Sequence, residues 1–145
     1  MENKTIKELN TILKGEHMAV DSYRRFAQEV EDEDLKNEFV QIQNDHQKHI
    51  DRLSERVREL GGTPEADTGV AGVMASVKMA VHGLGKENDM EIIKKAYDGE
   101  DKGIAMVEEI KKGDLDEKSS NIVNDIMAED HEHLSKMSHM ISDYE

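Results

Sequence analysis

Cysteine is missing from this chain of 145 residues. That removes disulfides, thiolate catalysis and zinc-finger or rubredoxin-type sites, and leaves only histidine and carboxylate for any metal. Tryptophan is absent too, with two phenylalanines and one proline, so the chain has no aromatic platform on which bases could stack. Basic residues are scarce beside acidic ones: 19 Lys and Arg against 33 Asp and Glu, a formal charge of -14. Such a surface repels a phosphate backbone and has no basic stripe, which argues against a nucleic-acid partner. No apolar run approaches the roughly 20 residues that a spanning helix needs. The opening MENKTIKELN reads as a charged helix start rather than a signal peptide. A cytoplasmic protein with no membrane partner is therefore the expectation.

What is present is amphipathic. Hydrophobic and charged residues each make up 36%, a balance suited to helices that bury one stripe and wet the rest. Few β-branched runs occur outside Val70 to Val81, and nothing reads as a sheet. The length suits a single domain over 1–145. Apolar positions alternate by four and three over about 5–30 (Leu9, Leu13, Val20, Tyr23, Ala27, Val30) and again over about 34–60 (Leu35, Phe39, Ile42, Leu53, Leu60). These are heptad seams facing partner helices. An acidic turn separates the two, and Gly61-Gly62 with Pro64 ends the second. The pattern returns over about 90–112 and 117–143 at an offset of 84 residues, so that Gly15-Glu16 aligns with Gly99-Glu100 and His49 with His133. Between the halves, Val70, Val73, Met74, Val77, Val81 and Leu84 predict a crossover helix over about 70–84. A crossover of that length makes the helices run up, down, down, up. The fold expected is an all-α four-helix bundle.

Six ionisable residues interrupt the seams: Glu16, His46, His49, Glu100, Asp130 and His133. Burying such groups costs several kcal/mol unless they are paired or bind a cation. Glu16 and His49 are separated by 33 residues, as are Glu100 and His133. In antiparallel hairpins this places all six at one height. Three carboxylates and three imidazoles suit iron, manganese or zinc, and pairs three apart, His46 with His49 and Asp130 with His133, share a helix face. A carboxylate–histidine network without metal is the plainer alternative. Asp45 and Glu129 stand next to the seam and compete with His46 and Asp130 as candidate ligands.

Gly-Glu at 15–16 and 99–100, His46-x-x-His49 and Asp130-x-x-His133 together resemble the ferritin-like di-iron carboxylate proteins, in which two helices each give a Glu and two give Glu-x-x-His. The stretch Leu-Gly-Gly-Thr-Pro at 60–64 and Gly-Glu-Asp at 99–101 are similar to short bacterial four-helix members of that superfamily. The resemblance implies one or two metal ions held by the six residues. Glu16 and Glu100 would be terminal ligands, Asp130 the bridge, and His46, His49 and His133 nitrogen donors. It implies an oxidoreductase-type centre meeting dioxygen or peroxide, with electrons from a separate donor since no rubredoxin-like cluster is present. His46 and the shorter Asp130 stand where the family has bridging glutamates, which favours a non-catalytic zinc or stress-associated bundle as the competing reading. A metal-free interaction module is the third.

Tyr23 and Tyr97 lie on the glutamate face; core packing is expected, with a hydrogen bond to a ligand or an electron relay as the alternative. Met127, Met137 and Met140 read as core filling. His17, His131 and His139 fall off the seam, on the surface, and His82 has no assigned role. Ile12 and Phe26 read as apolar positions off the seam that could support a homodimer or equally pack under the crossover helix.

Overall fold

Each helix begins where a short polar side chain can accept an orphan backbone N–H. In the computed structural model, which describes residues 3–67 and 87–144, α1 is Lys4–Glu29, α2 Glu33–Glu59, α3 Asp89–Lys111 and α4 Glu117–Tyr144. Asn3 caps α1 through Thr5 N, Asp32 caps α2 through Leu35 N, and Asn88 caps α3 through Glu91 N. Ahead of α4, Asp116 accepts from Ser119 N at 2.8 Å. The end of α2 is closed by Gly61 at φ 87°, with Gly62 N donating to Val57 O at 2.9 Å. That left-handed turn is the one glycine can make without strain. The crossover helix expected over 70–84, and His82 within it, lie outside the described residues.

Contacts at the helix ends fix the topology. Thr5 Oγ1 at the start of α1 donates to the Asp114 carbonyl just beyond α3. Glu31 N and Asp32 N beyond α1 donate to the Asp89 carboxylate at the start of α3. Thus α1 and α3 are antiparallel. So are α2 and α4, since Arg56 reaches Asp116 while Glu38 faces Lys136. With the two hairpins, this gives an up-down-down-up bundle of ferritin-like architecture, with no strand among the described residues.

The core comes in two apolar clusters. One is built around Leu9, Leu13, Leu53, Val107, Val123 and Ile126. The other surrounds Phe39, Ile42, Ile93, Val30 and Met137. Met127 and Met137 are buried, and Met140 packs against the second cluster. One expectation is corrected here: Ile12 is 1% and Phe26 5% exposed, so neither offers surface for a homodimer. Phe26 packs on Tyr23 and Phe39 with ring centroids 5.9 and 5.8 Å apart. A core-facing helix in a bundle buries an arc wider than the a/d seam alone, and both residues fall within that arc. On every helix the polar seam residues lie between the members of the two clusters in sequence.

Candidate metal centre

All six interrupting residues are buried, none more than 7% exposed. Their donor atoms form two groups, Glu16–His46–His49–Asp130 and His46–Glu100–Asp130–His133, each with its atoms within 4.8 Å of one another. The groups share His46 and Asp130. The layer is therefore continuous and draws one residue each from α1 and α3 and two each from α2 and α4.

His46 spans the two glutamates. Its Nδ1 is 2.6 Å from Glu16 Oε2 and its Nε2 3.0 Å from Glu100 Oε1. Carboxylates face both nitrogens at short range, an arrangement that favours the protonated ring, donating at each. Burial opposes that charge, but Glu16's charge and the hydrogen bonds to Glu100 and Glu16 overcome it and push the His46 pKa well up. For Glu16, burial works against ionisation, yet the His46 charge and bonds from His46 and His49 keep the carboxyl below its usual range. Burial opposes ionisation of Glu100 too, and contacts with His133 and His46 hold it strongly ionised. Asp130 goes the other way: burial first, then the charges of Glu100 and Glu16, push it up to about 9. Two ionised glutamates and a neutral aspartic acid thus surround one imidazolium.

Tyr23 completes this side. Its O–H donates to Glu100 Oε1 at 2.6 Å, and its ring stacks on His46 at 5.5 Å and 15°. Tyr23 thus packs in the core as expected and also makes the hydrogen bond to a candidate ligand that was its alternative. Burial and the Glu100 charge drive its phenol pKa well up, so it stays protonated. Tyr97 only packs, at the edge of the second cluster.

The remaining imidazoles are held from outside. His133 Nε2 donates to Asp45 Oδ2 at 2.9 Å, and His49 Nε2 lies 3.2 Å from Glu129 Oε1. These pairs cross between α2 and α4, and each maps onto the other by the same offset of 84 residues. Asp45 and Glu129 keep 32% and 44% of their side chains exposed. They sit behind the histidines and do not replace His46 or Asp130 in either central group, although with His133 they form a further group with donor atoms within 4.8 Å. Their grip turns both Nδ1 atoms inward. His49 Nδ1 is 3.3 Å from Glu16 and 3.9 Å from Asp130; His133 Nδ1 is 3.6 Å from both Glu100 and Asp130. Burial opposes protonation of His133, but its contacts with Glu100 and Asp45 raise its pKa.

Two inner atoms have no hydrogen-bond partner, Asp130 Oδ1 and His133 Nδ1. A buried, unmatched acceptor and imidazole nitrogen are costly. A cation between them would satisfy both, and the donor set is the nitrogen–oxygen mixture that divalent transition metals take. The residues fit a metal on chemistry. His17 is part-buried, with Nε2 3.0 Å from the Glu65 carbonyl, while His131 and His139 are exposed. None of these three joins the centre.

The bundle has a ferritin-like fold, and its buried His/Glu/Asp layer is compatible with metal binding. The chain belongs to the family described as "Domain of unknown function (DUF2383)", which matches residues 4–113; the match ends before α4, the helix carrying Asp130 and His133. No curated protein matches the sequence. Among solved structures, the chain is similar to a dodecameric thioferritin, the bacterioferritin-related protein of Bacteroides fragilis, at 22% identity and a TM-score of 0.78, over 97% of this chain and 86% of that one. A ferritin-like di-iron carboxylate protein of Bacillus anthracis shares 22% identity at a TM-score of 0.74, over 97% and 99%. The third likeness is to a two-domain protein of Anabaena variabilis with DJ-1/ThiJ/PfpI-like and ferritin-like domains. It has 17% identity and a TM-score of 0.77, over 97% of this chain and 36% of that one. At these identities the likeness establishes the fold. No helix among the described residues is long and apolar enough to cross a membrane.

Proposed function

We propose that this chain is a metal-binding ferritin-like protein whose oxidoreductase-type centre acts on dioxygen or peroxide. Glu16, His46, His49, Glu100, Asp130 and His133 would hold one or two ions, iron foremost, with manganese or zinc as the other candidates. The observation carrying this reading is the pair of buried, unpartnered atoms, Asp130 Oδ1 and His133 Nδ1, inside the layer. The ferritin-like neighbour from Bacillus anthracis, named as a di-iron carboxylate protein, supports it. When bound, iron or manganese supplies one-electron exchange with dioxygen or peroxide.

The chain's own residues do the preparation. Asp45 and Glu129 orient His133 and His49 so that Nδ1 of each faces the centre, the role outer carboxylates play behind metal-binding imidazoles. Tyr23 fixes Glu100 through Oε1. Apolar clusters flank the layer and keep the local dielectric low. Loading an ion requires the His46 and Asp130 protons to leave, so binding is proton-linked. With no cysteine in the chain, electrons would come from a separate donor.

A second reading has its own support. His46 already bridges Glu16 and Glu100, which neutralises much of the layer without metal and suits a structural zinc site or a non-catalytic bundle. Aerobic addition of Fe(II) to metal-free protein separates the two. Rapid growth of a near-ultraviolet ferric band, at a rate above buffer alone and lost in His133→Ala, supports the redox reading. Tight, colourless zinc binding with no acceleration of iron oxidation supports the structural one. Absence of binding for either metal overturns both.

A further inference from the structure

Along most of the seam between α2 and α4, acid faces base. Arg56 meets Asp116 at 2.9 Å, Lys118 meets Glu59 at 3.4 Å, Arg52 meets Asp125 at 3.3 Å and Lys136 meets Glu38 at 3.8 Å. At the height of the polar layer this pattern breaks. Asp45 of α2 and Glu129 of α4 come together there, and among the described residues neither meets a lysine or an arginine. Their partners are the outward Nε2 atoms of His133 and His49, at 2.9 and 3.2 Å. Both rings are shared with inner carboxylates, those of Glu100 and Glu16. Donor atoms of Asp45, Glu129 and His133 all lie within 4.8 Å of one another. A transition cation with ligands at about 2.0–2.2 Å sets its donors at most roughly 4.2 Å apart, so these three atoms stand close to the spacing of a coordination shell. The two carboxylates keep 32% and 44% of their side chains exposed, so this group faces solvent where the layer behind it does not.

We propose that Asp45, Glu129 and Nε2 of His133 form an outer docking site for a divalent transition cation, through which ions enter the layer. The donor set chooses the class of ion. Two carboxylates bring charge and an imidazole brings nitrogen, a mixture that suits cobalt, iron, manganese or zinc better than magnesium or calcium, which take oxygen. A neutral imidazole has one acceptor nitrogen, so His133 ligates on one side at a time. With Nε2 on an outer ion, the ring is lost to the layer; with Nδ1 on an inner ion, Nε2 donates outward to Asp45. The outer ion is thus a transient occupant, and a filled layer weakens docking. Charge of one sign at the mouth of a water-excluded site also concentrates its counter-ion and raises association rates by about 10- to 1000-fold. Docking stands on these three residues alone; the entry role rests on the metal reading proposed above.

The test uses the full chain, freed of metal, with Co(II) as the probe. Anomalous scattering from crystals soaked in Co(II) locates the ions, and the visible bands of cobalt follow loading in stopped flow. Asp45→Asn combined with Glu129→Gln removes both outer charges, while the amide oxygens still accept from His133 and His49 and keep the rings held. Wild type should show cobalt between Asp45, Glu129 and His133 Nε2. In the double variant that cobalt should vanish and loading of the layer should slow about tenfold, with helical content and thermal midpoint unchanged. Asp130→Asn, which touches only the layer, should leave docking intact. Absence of cobalt at the outer position in wild type overturns the inference, as does outer cobalt that survives in the double variant. Loading of the double variant at the wild-type rate overturns the entry role, and displacement of the outer cobalt by an equal concentration of Mg(II) overturns the choice of ion. Cobalt at the outer position with none in the layer keeps the docking site and removes the metal reading. Cobalt in the layer alone does the reverse.

Discussion

His46→Leu tests whether one imidazolium holds the centre together. The side chain is 4% exposed and lies between Glu16 and Glu100, whose side chains are 6% and 3% exposed. Leucine keeps similar bulk and removes both hydrogen bonds and the charge. Glu16 then keeps only His49, and Glu100 only Tyr23 and the more distant His133; breaking a buried pair in this way costs about 3–5 kcal/mol. For a chain of this size each kcal/mol moves the midpoint by about 2–4 °C, so the metal-free variant should melt roughly 6–20 °C lower. The sign with pH follows from the two shifts. His46 is raised above its ordinary 6.5, so its contribution is complete below 6.5 and is lost as pH rises through the raised value. Glu16 is lowered from 4.5, so its contribution is complete above 4.5 and is lost as pH falls through the lowered value. The gap between wild type and variant should be widest between pH 4.5 and 6.5 and close toward alkaline pH. Zinc at about 100 times its dissociation constant should return about 2.7 kcal/mol to the variant by mass action. Circular-dichroism melts in chelator and in zinc, from pH 4 to 9, read all of this. A variant melting within about 2 °C of wild type across that range would show that the glutamates need no cation, and the electrostatic account would fail.

Three further outcomes are expected. Asp130→Asn replaces a carboxyl whose pKa is raised from 3.8 to about 9. Ionisation of Asp130 costs the folded state progressively above pH 3.8, so the metal-free variant should gain on wild type as pH rises, while Co(II) affinity falls about tenfold or more. Metal uptake at pH 7 should release more than one proton per chain, because His46 and Asp130 are both protonated beforehand; titration calorimetry in buffers of different ionisation enthalpy counts them. Tyr23→Phe removes a 2.6 Å bond to ionised Glu100 and should cost about 1.5–3 kcal/mol in denaturant melts. A cost below about 0.5 kcal/mol would mean that water replaces the phenol.

The bundle and the six central residues were legible because charge on a heptad seam is conspicuous: Glu16 between Leu13 and Val20 has no reason to be there unless something meets it. Equal spacing about the turns then supplied the common height. Tyr23 was harder, since a tyrosine on a seam satisfies the apolar pattern whether or not its hydroxyl finds a partner. Asp45 and Glu129 were noticed as neighbours of the histidines on their own helices, but helical spacing says nothing of which side chain crosses to the next hairpin, so the exchange with His133 and His49 was not readable. Ile12 and Phe26 were misread because the a/d rule describes a narrower stripe than a four-helix core buries.

The crossed ties between Asp45 and His133, and between Glu129 and His49, make each hairpin the custodian of the other's ring orientation. Neither half of the chain can prepare its own imidazole alone. On the metal reading proposed above, affinity for an ion is then a gauge of how firmly the hairpins are docked, and loosening their seam, even far from the centre, should register first as lost cation binding and only later as lost helix.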